Sequence, residues 1–206
     1  MSRTLTHRPP DESGPAWEIA RLFPDQGRWD ESDYLELKTN QLVEFSDGCV
    51  EVLPMPTLSH QRIVRFLFQL LAAFVSSRRL GEAFFAPLRV RLREGQIREP
   101  DVLFMLSEHA DRMHEECWEG ADLVMEVVSD SGRDRDLIRK RKEYAEGGVA
   151  EYWIVDPQEC TVTVLRLEGG RYVVDGQYGT GQQAKSALLH GFAVEVDAVW
   201  KAEQGM

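Results

Sequence analysis

A mixed α/β domain, its central mixed sheet flanked by helices, is the fold class that the sequence predicts. Three observations carry this: a long helical period across residues 59–75, strand-like runs on both sides of it, and a strand–helix–strand unit over residues 121–156. The chain has 206 residues, 43% apolar and 29% charged. That is an ordinary globular balance, with enough length to bury a core without disulfides or a structural metal. One domain is the default at this length. Residues 29–200 are expected to form it, and residues 1–28, rich in Pro, Asp, Glu and Arg, to be peripheral, with Trp17, Ile19, Leu22 and Phe23 able to pack one short turn.

The elements follow in order. Asp30 can cap a first helix carrying Tyr34, Leu35 and Leu37. Leu42–Phe45 and Cys49–Leu53 read as two strands joined at Ser46-Asp47-Gly48, since Asp-Gly between such runs is a strong hairpin signal. Ser59 can cap the next helix, where Ile63, Val64, Leu67, Leu70, Leu71, Phe74 and Val75 recur at three- and four-residue intervals. Phe84 and Phe85 open a strand region in which Leu88, Val90 and Leu92 alternate with Arg89, Arg91 and Arg93. Glu94-Gly95 is a turn, and Asp101–Met105 is an apolar strand entered through Arg98-Glu99-Pro100. Residues 107–119 read as an exposed connection. Ala121–Val128 is the most apolar strand of the chain. Ser131 and Asp134 match a capping box for a helix that runs to about Glu146 and ends at Gly147-Gly148. Strands are expected at 151–156, 161–167, 171–174 and 192–196.

Composition excludes several function classes. No apolar stretch approaches the roughly 20 residues of a membrane helix, and the N-terminus has no apolar secretion segment, so a cytoplasmic protein without membrane contact is expected. Cys49, Cys117 and Cys160 are odd in number and lack zinc spacing, which points to buried spectators. Lysine and arginine total 24 against 35 Asp and Glu, a formal charge of −11, which disfavours non-specific phosphate binding without excluding a nucleic-acid enzyme. No Gly-rich phosphate loop and no Gly-x-Ser-x-Gly elbow occurs, and the five histidines are scattered.

What stands out is a set of charged residues in apolar places. Asp101 opens an apolar strand, and Glu126 lies inside Leu123-Val124-Met125-Glu126-Val127-Val128, where a carboxylate is costly unless a cation or hydrogen bonds compensate it. If their strands are neighbours, the two carboxylates converge at one sheet end. A divalent cation would relieve their repulsion, polarise a phosphoryl oxygen and activate water. Oxygen ligands point to Mg²⁺ or Mn²⁺ rather than zinc. Between Arg133 and Lys142 the chain holds six basic residues against two acidic ones. There Asp136, Lys140 and Tyr144 share a helical face, from which the Lys140 ammonium could reach back toward Glu126 to hold water or steady charge on a phosphate.

These residues, with Val43-Glu44-Phe45-Ser46-Asp47-Gly48, Ser59-His60, Arg98-Glu99-Pro100-Asp101-Val102, Val124–Ser129 and Gly148-Val149-Ala150-Glu151-Tyr152-Trp153-Ile154-Val155-Asp156-Pro157, carry a resemblance. Across roughly residues 30–200 the sequence resembles the Uma-two family of restriction endonucleases, a branch of the PD-(D/E)XK nuclease superfamily. The resemblance implies a restriction-endonuclease-like fold and a Mg²⁺- or Mn²⁺-dependent endonuclease acting on nucleic acid, DNA in the first instance. It implies that Asp101 and Glu126 are the metal-binding carboxylates, Glu44 an additional acidic ligand and His60 a recurrent histidine at the long helix. The superfamily lysine two positions after Glu126 is replaced by Val128, and the family draws a lysine from the following helix, here Lys140. A homodimer is expected, because two sites suit two strands.

Blander readings stand beside each residue. Asp101 could belong to an ordinary turn, Glu126 to a structural ion pair, Glu44 to a wet strand face and His60 to a helix terminus, while Arg139–Lys142 could be a solvated face. Arg89, Arg91 and Arg93 could line a phosphate path or merely face water, and Tyr152 and Trp153 read as sheet core. The rival for the whole chain is a catalytically silent nuclease-fold module, binding or structural.

Overall fold

Asp30 starts the fold as expected. The Asp33 N–H donates to its carboxylate at 2.8 Å and the Asp30 N–H donates to the Asp33 carboxylate at 3.3 Å, a reciprocal cap on helix α1 (Glu31–Glu36). The computed structural model describes residues 23–39, 41–129, 133 and 135–205, the side chains of 135 and 136 excepted. The expected cap at Ser131 with Asp134, the apolar turn at Trp17, Ile19 and Leu22, and the Asp136 side chain lie outside that set.

Strands β1 (Val43–Ser46) and β2 (Cys49–Val52) form the expected hairpin. Both turn residues, Asp47 (φ 44°) and Gly48 (φ 85°), take the positive φ that a tight two-residue turn requires. Helix α2 (Leu58–Arg78) begins at Thr57 rather than Ser59, because the His60 N–H donates to Thr57 Oγ1 at 3.2 Å. Its buried stripe is Ile63, Val64, Leu67, Leu71 and Val75. Next come β3 (Gly81–Phe85), β4 (Val90–Arg93), β5 (Gln96–Arg98), β6 (Val102–Leu106), a 3₁₀ segment (Ser107–Arg112), β7 (Trp118–Glu119) and β8 (Leu123–Val127). A π-helical turn, Arg135–Arg139, runs into α3 (Lys140–Glu146). Strands β9 (Glu151–Asp156), β10 (Thr161–Glu168), β11 (Arg171–Tyr178), β12 (Gln183–Lys185) and β13 (Ala193–Glu195) lead to α4 (Val196–Gln204).

The central sheet has the order β11-β10-β9-β8-β6-β3 and is mixed: β8 and β9, joined through α3, are parallel, and the other pairs are antiparallel. The N-terminal hairpin does not join it. It belongs to a second sheet, β2-β1-β5-β4-β7, which the sequence did not separate from the first because β5 and β7 are three and two residues long. Helix α4 lies where only the end of a strand was expected, and it packs with α2.

Alternation along the central strands divides the core. Met125, Val127, Phe104, Trp153 and Val155 face α2, and Val124, Leu103, Tyr152 and Ile154 face α3. A third cluster, with Trp29, Tyr34, Phe45 and Ile97, fills the space between α1 and the second sheet. Cys117 is the buried cysteine. Cys49 and Cys160 are exposed, contrary to expectation, and all three are free thiols. Among the described residues, no helix is long and apolar enough to cross a membrane.

Candidate active site

The chain leaves the second sheet at Arg98 and enters the central sheet at Val102, so the segment Arg98-Glu99-Pro100-Asp101 lies where the two sheets meet. Val102 pairs with Met125 and Leu103 with Val124 in the antiparallel β6–β8 ladder. One further step in that register sets Asp101 beside Glu126. In the second sheet Phe45 pairs with Ile97, and the next step sets Glu44 opposite Arg98. Glu126, Glu44 and Arg98 thus meet side chains of α3, whereas Asp101 meets His60 of α2.

Lys140, in the first turn of α3, joins them. Its Nζ is 2.7 Å from Glu126 Oε1 and 3.4 Å from Glu44 Oε1, and all three side chains are at most 4% exposed. The Tyr144 hydroxyl, one helical turn on, donates to the same Glu126 oxygen at 2.5 Å. Burial, followed by the charge of Glu126, pushes the Tyr144 phenol well above its ordinary range, so the hydroxyl keeps its proton. The Arg98 guanidinium backs the group. It donates twice to Glu143 at 2.8 and 2.9 Å, to the Phe45 carbonyl at 2.7 Å and to Ser46 Oγ at 2.8 Å, and stands 3.7 Å from Glu44 Oε2. Neither Glu44 oxygen has a hydrogen-bond partner among the described residues, so ion pairing to Lys140 and Arg98 is what compensates its burial.

Asp101 is held from two sides. The Val127 N–H donates to its Oδ2 at 2.8 Å, and His60 Nε2 lies 3.2 Å from the same oxygen. Burial opposes ionisation of Asp101, but the His60 hydrogen bond and charge, with Lys140, outweigh it and hold the carboxyl below its usual range. Burial likewise opposes the imidazolium of His60, and Asp101 outweighs it to raise the His60 pKa. Glu99, two residues before Asp101, accepts from the Val43 N–H at 3.0 Å, and burial pushes its carboxyl up to about 7 against the pull of that bond and of Arg89.

Asp101, Glu126, Lys140, His60 and Glu99 line one cleft of about 450 Å³. The loop Leu53–Thr57 and Glu203 of α4 also line it. Of the residues singled out in the sequence, Asp101, Glu126, Lys140 and His60 therefore share this cavity, while Glu44 sits behind Lys140. Among the described residues, no three Asp, Glu, His or Cys side chains are grouped to form a protein-only metal cage.

The arginines that could have lined a phosphate path are engaged elsewhere. Arg91 pairs with Glu31 and Glu119, Arg93 with Asp47, and Arg89 donates to the carbonyls of Leu35 and Leu37. In the basic helix, Arg139 bonds Glu143, Glu51 and Ser46, and Arg133 pairs with Asp156. Sequence reasoning missed Arg98 and Glu99 as parts of the network, and placed Tyr144 on the Lys140 face without assigning it a partner. The signal for the first two was two adjacent charges leading into an apolar strand.

The chain is similar to a crystal structure of a "putative nuclease" from Anabaena variabilis, with 18% sequence identity and a TM-score of 0.71, covering 84% of this chain and 97% of that one. That likeness concerns the fold. No curated protein matches the sequence. Residues 29–197 match the model of the Uma2 family, described as "Putative restriction endonuclease". With this match over most of its length, the chain belongs to the Uma2 family.

Proposed function

We propose that this chain hydrolyses phosphodiester bonds of nucleic acid with the help of a divalent metal, and that DNA is a substrate. One observation carries the reading: two carboxylates from neighbouring strands, Asp101 and Glu126, open into one cleft beside a buried lysine. The donor set suits Mg²⁺ or Mn²⁺, which keep several waters and bind through one or two carboxylates plus substrate phosphate, so a three-residue cage is not required. Asp101 and Glu126 would hold the ion, with Glu44 as a nearby acidic residue. When bound, it supplies charge neutralisation at a phosphodiester oxygen and a water of lowered pKa.

The protein's own groups do the rest. The Val127 N–H and His60 fix the Asp101 carboxylate in direction and keep it ionised. Lys140, held between Glu44 and Glu126, brings positive charge toward the phosphate as negative charge grows in the pentacovalent state. His60 stands at the same cleft with its Nε2 against Asp101, where it helps to shape the site.

A catalytically silent module is the second reading. It is favoured by the fact that one Glu126 oxygen already accepts from both Lys140 and Tyr144. Cleavage of labelled DNA in Mg²⁺ separates the two. We expect Mg²⁺-dependent cleavage that disappears in Asp101→Ala and in Glu126→Ala while the circular dichroism of each variant stays native. Cleavage unchanged in both variants rejects the assignment, and no cleavage by the intact chain favours the silent module.

A further inference from the structure

Glu44 lies on β1, one residue before the Phe45–Ile97 pair, and is 1% exposed. Asp101 and Glu126 line the cleft and Glu44 does not. Both of its carboxylate oxygens are buried, and among the described residues neither accepts a hydrogen bond. Burying a carboxylate in that condition is costly, so its retention calls for a cause.

Its two cationic neighbours stand slightly beyond hydrogen-bond reach. Arg98 Nε is 3.7 Å from Glu44 Oε2, and that guanidinium is committed to Glu143, the Phe45 carbonyl and Ser46. Lys140 Nζ is 3.4 Å from Glu44 Oε1, a fraction of an ångström longer than an N–H···O bond, while it sits 2.7 Å from Glu126 Oε1. A lysine ammonium is a point charge on a flexible stem with three rotatable donors, so it can serve either carboxylate. The two carboxylates differ in position: Glu126 opens into the cleft, and Glu44 lies behind the ammonium. A divalent cation at Glu126 would repel Lys140 and compete with it for the same carboxylate.

Resting on the metal-binding part of the nuclease reading, we propose that Glu44 is a positioning residue and not a metal ligand. It is the acceptor to which Lys140 transfers its hydrogen bond when Glu126 takes up a divalent cation. Lys140 remains at the wall of the cleft that it lines, and Tyr144, a neutral donor, can keep its bond to Glu126. Glu44 thereby raises the affinity of the site for the cation without touching it. Residues that act on a metal's ligands and not on the metal change its affinity by about 10–100-fold when they are lost.

The test is a Mn²⁺ titration of the full chain, read by electron paramagnetic resonance, for the natural chain, Glu44→Gln, Lys140→Met and the double variant. Glu44→Gln should bind Mn²⁺ about tenfold more weakly, because Lys140 is left with Glu126 alone. Lys140→Met should bind at least as tightly as the natural chain, and adding Glu44→Gln to it should weaken binding by no more than about threefold. An equal loss from Glu44→Gln in both backgrounds makes Glu44 a ligand, and no loss in either makes it purely structural. Either result overturns the proposal, as does weaker binding by Lys140→Met than by the natural chain. If Lys140→Met does not fold, a crystal structure of the natural chain with Mn²⁺ decides the matter. Lys140 Nζ should then lie closer to Glu44 than to Glu126, and an unchanged 2.7 Å contact with Glu126, or a Glu44 oxygen on the ion, overturns the proposal. No saturable binding by the natural chain rejects the metal site and the proposal together. Saturable binding with any of the overturning results rejects the role of Glu44 and leaves the metal reading standing.

Discussion

Lys140 Nζ stands 2.7 Å from Glu126 Oε1, and the same ammonium is 3.4 Å from Glu44 Oε1, so one buried cation ties a carboxylate of the central sheet to one of the second sheet. Removing it strands two buried negative charges. Lys140→Met should destabilise the fold by about 3–5 kcal/mol, the range for breaking a buried pair from one side. Adding Glu126→Gln and Glu44→Gln to that variant should restore a large part of the loss. Urea denaturation of the series measures both, and a triple variant no more stable than Lys140→Met would show that charge pairing is not what Lys140 contributes.

Tyr144→Phe removes one donor to Glu126 and leaves the aromatic packing with Tyr152, whose ring centroid lies 5.1 Å away. A hydrogen bond to a charged group contributes about 1.5–3 kcal/mol, and the variant should lose that amount in chemical denaturation. A loss below about 0.5 kcal/mol would mean that Lys140 alone satisfies the carboxylate.

Arg98 ties the second sheet to α3 through Phe45, Ser46 and Glu143. Arg98→Met leaves the Glu143 carboxylate without its principal partner and should cost about 3–5 kcal/mol. Arg98→Lys should recover only part of this, since an ammonium cannot make the two parallel bonds to Glu143. Full recovery by lysine would reduce the role of Arg98 to charge alone.

Glu99 gives the pH dependence. Its folded pKa of about 7 lies above the ordinary carboxyl value of 4.5, so its stabilising contribution is complete below pH 4.5 and is lost as pH rises through about 7. Glu99→Gln keeps an acceptor for the Val43 N–H and has no charge to bury. Its stability relative to the natural chain should therefore climb across that window and level off above it. Thermal melts at pH 5 and pH 8 read the difference, and a gap that is the same at both would contradict the assigned burial effect.

How much of this was readable beforehand follows from range. The α1 cap, the Asp47-Gly48 hairpin and the α2 stripe are local and sit in the sequence where they sit in the structure. Asp101 and Glu126 were visible as charges in apolar surroundings whose convergence hung on β6 and β8 being neighbours, whereas Lys140 was visible as one of a basic run on the following helix. The separation of two sheets was not visible, because β5 and β7 are too short to leave a period. Arg98 looked like one charge in an entry segment, since its partners lie 45 and more residues away in sequence. Met55 and its two prolines looked like an interruption between elements, because exposure and shared cavity walls are properties of the folded chain.

A manganese titration followed by electron paramagnetic resonance addresses the metal site directly, with no dependence on the choice of substrate. The account predicts saturable loss of the aqueous Mn²⁺ signal at one site per chain, competed by Mg²⁺ and weakened at least about tenfold by Asp101→Asn, the cost expected when a metal ligand's charge is removed. Binding of equal strength in Asp101→Asn, or no saturable binding by the intact chain, would contradict it.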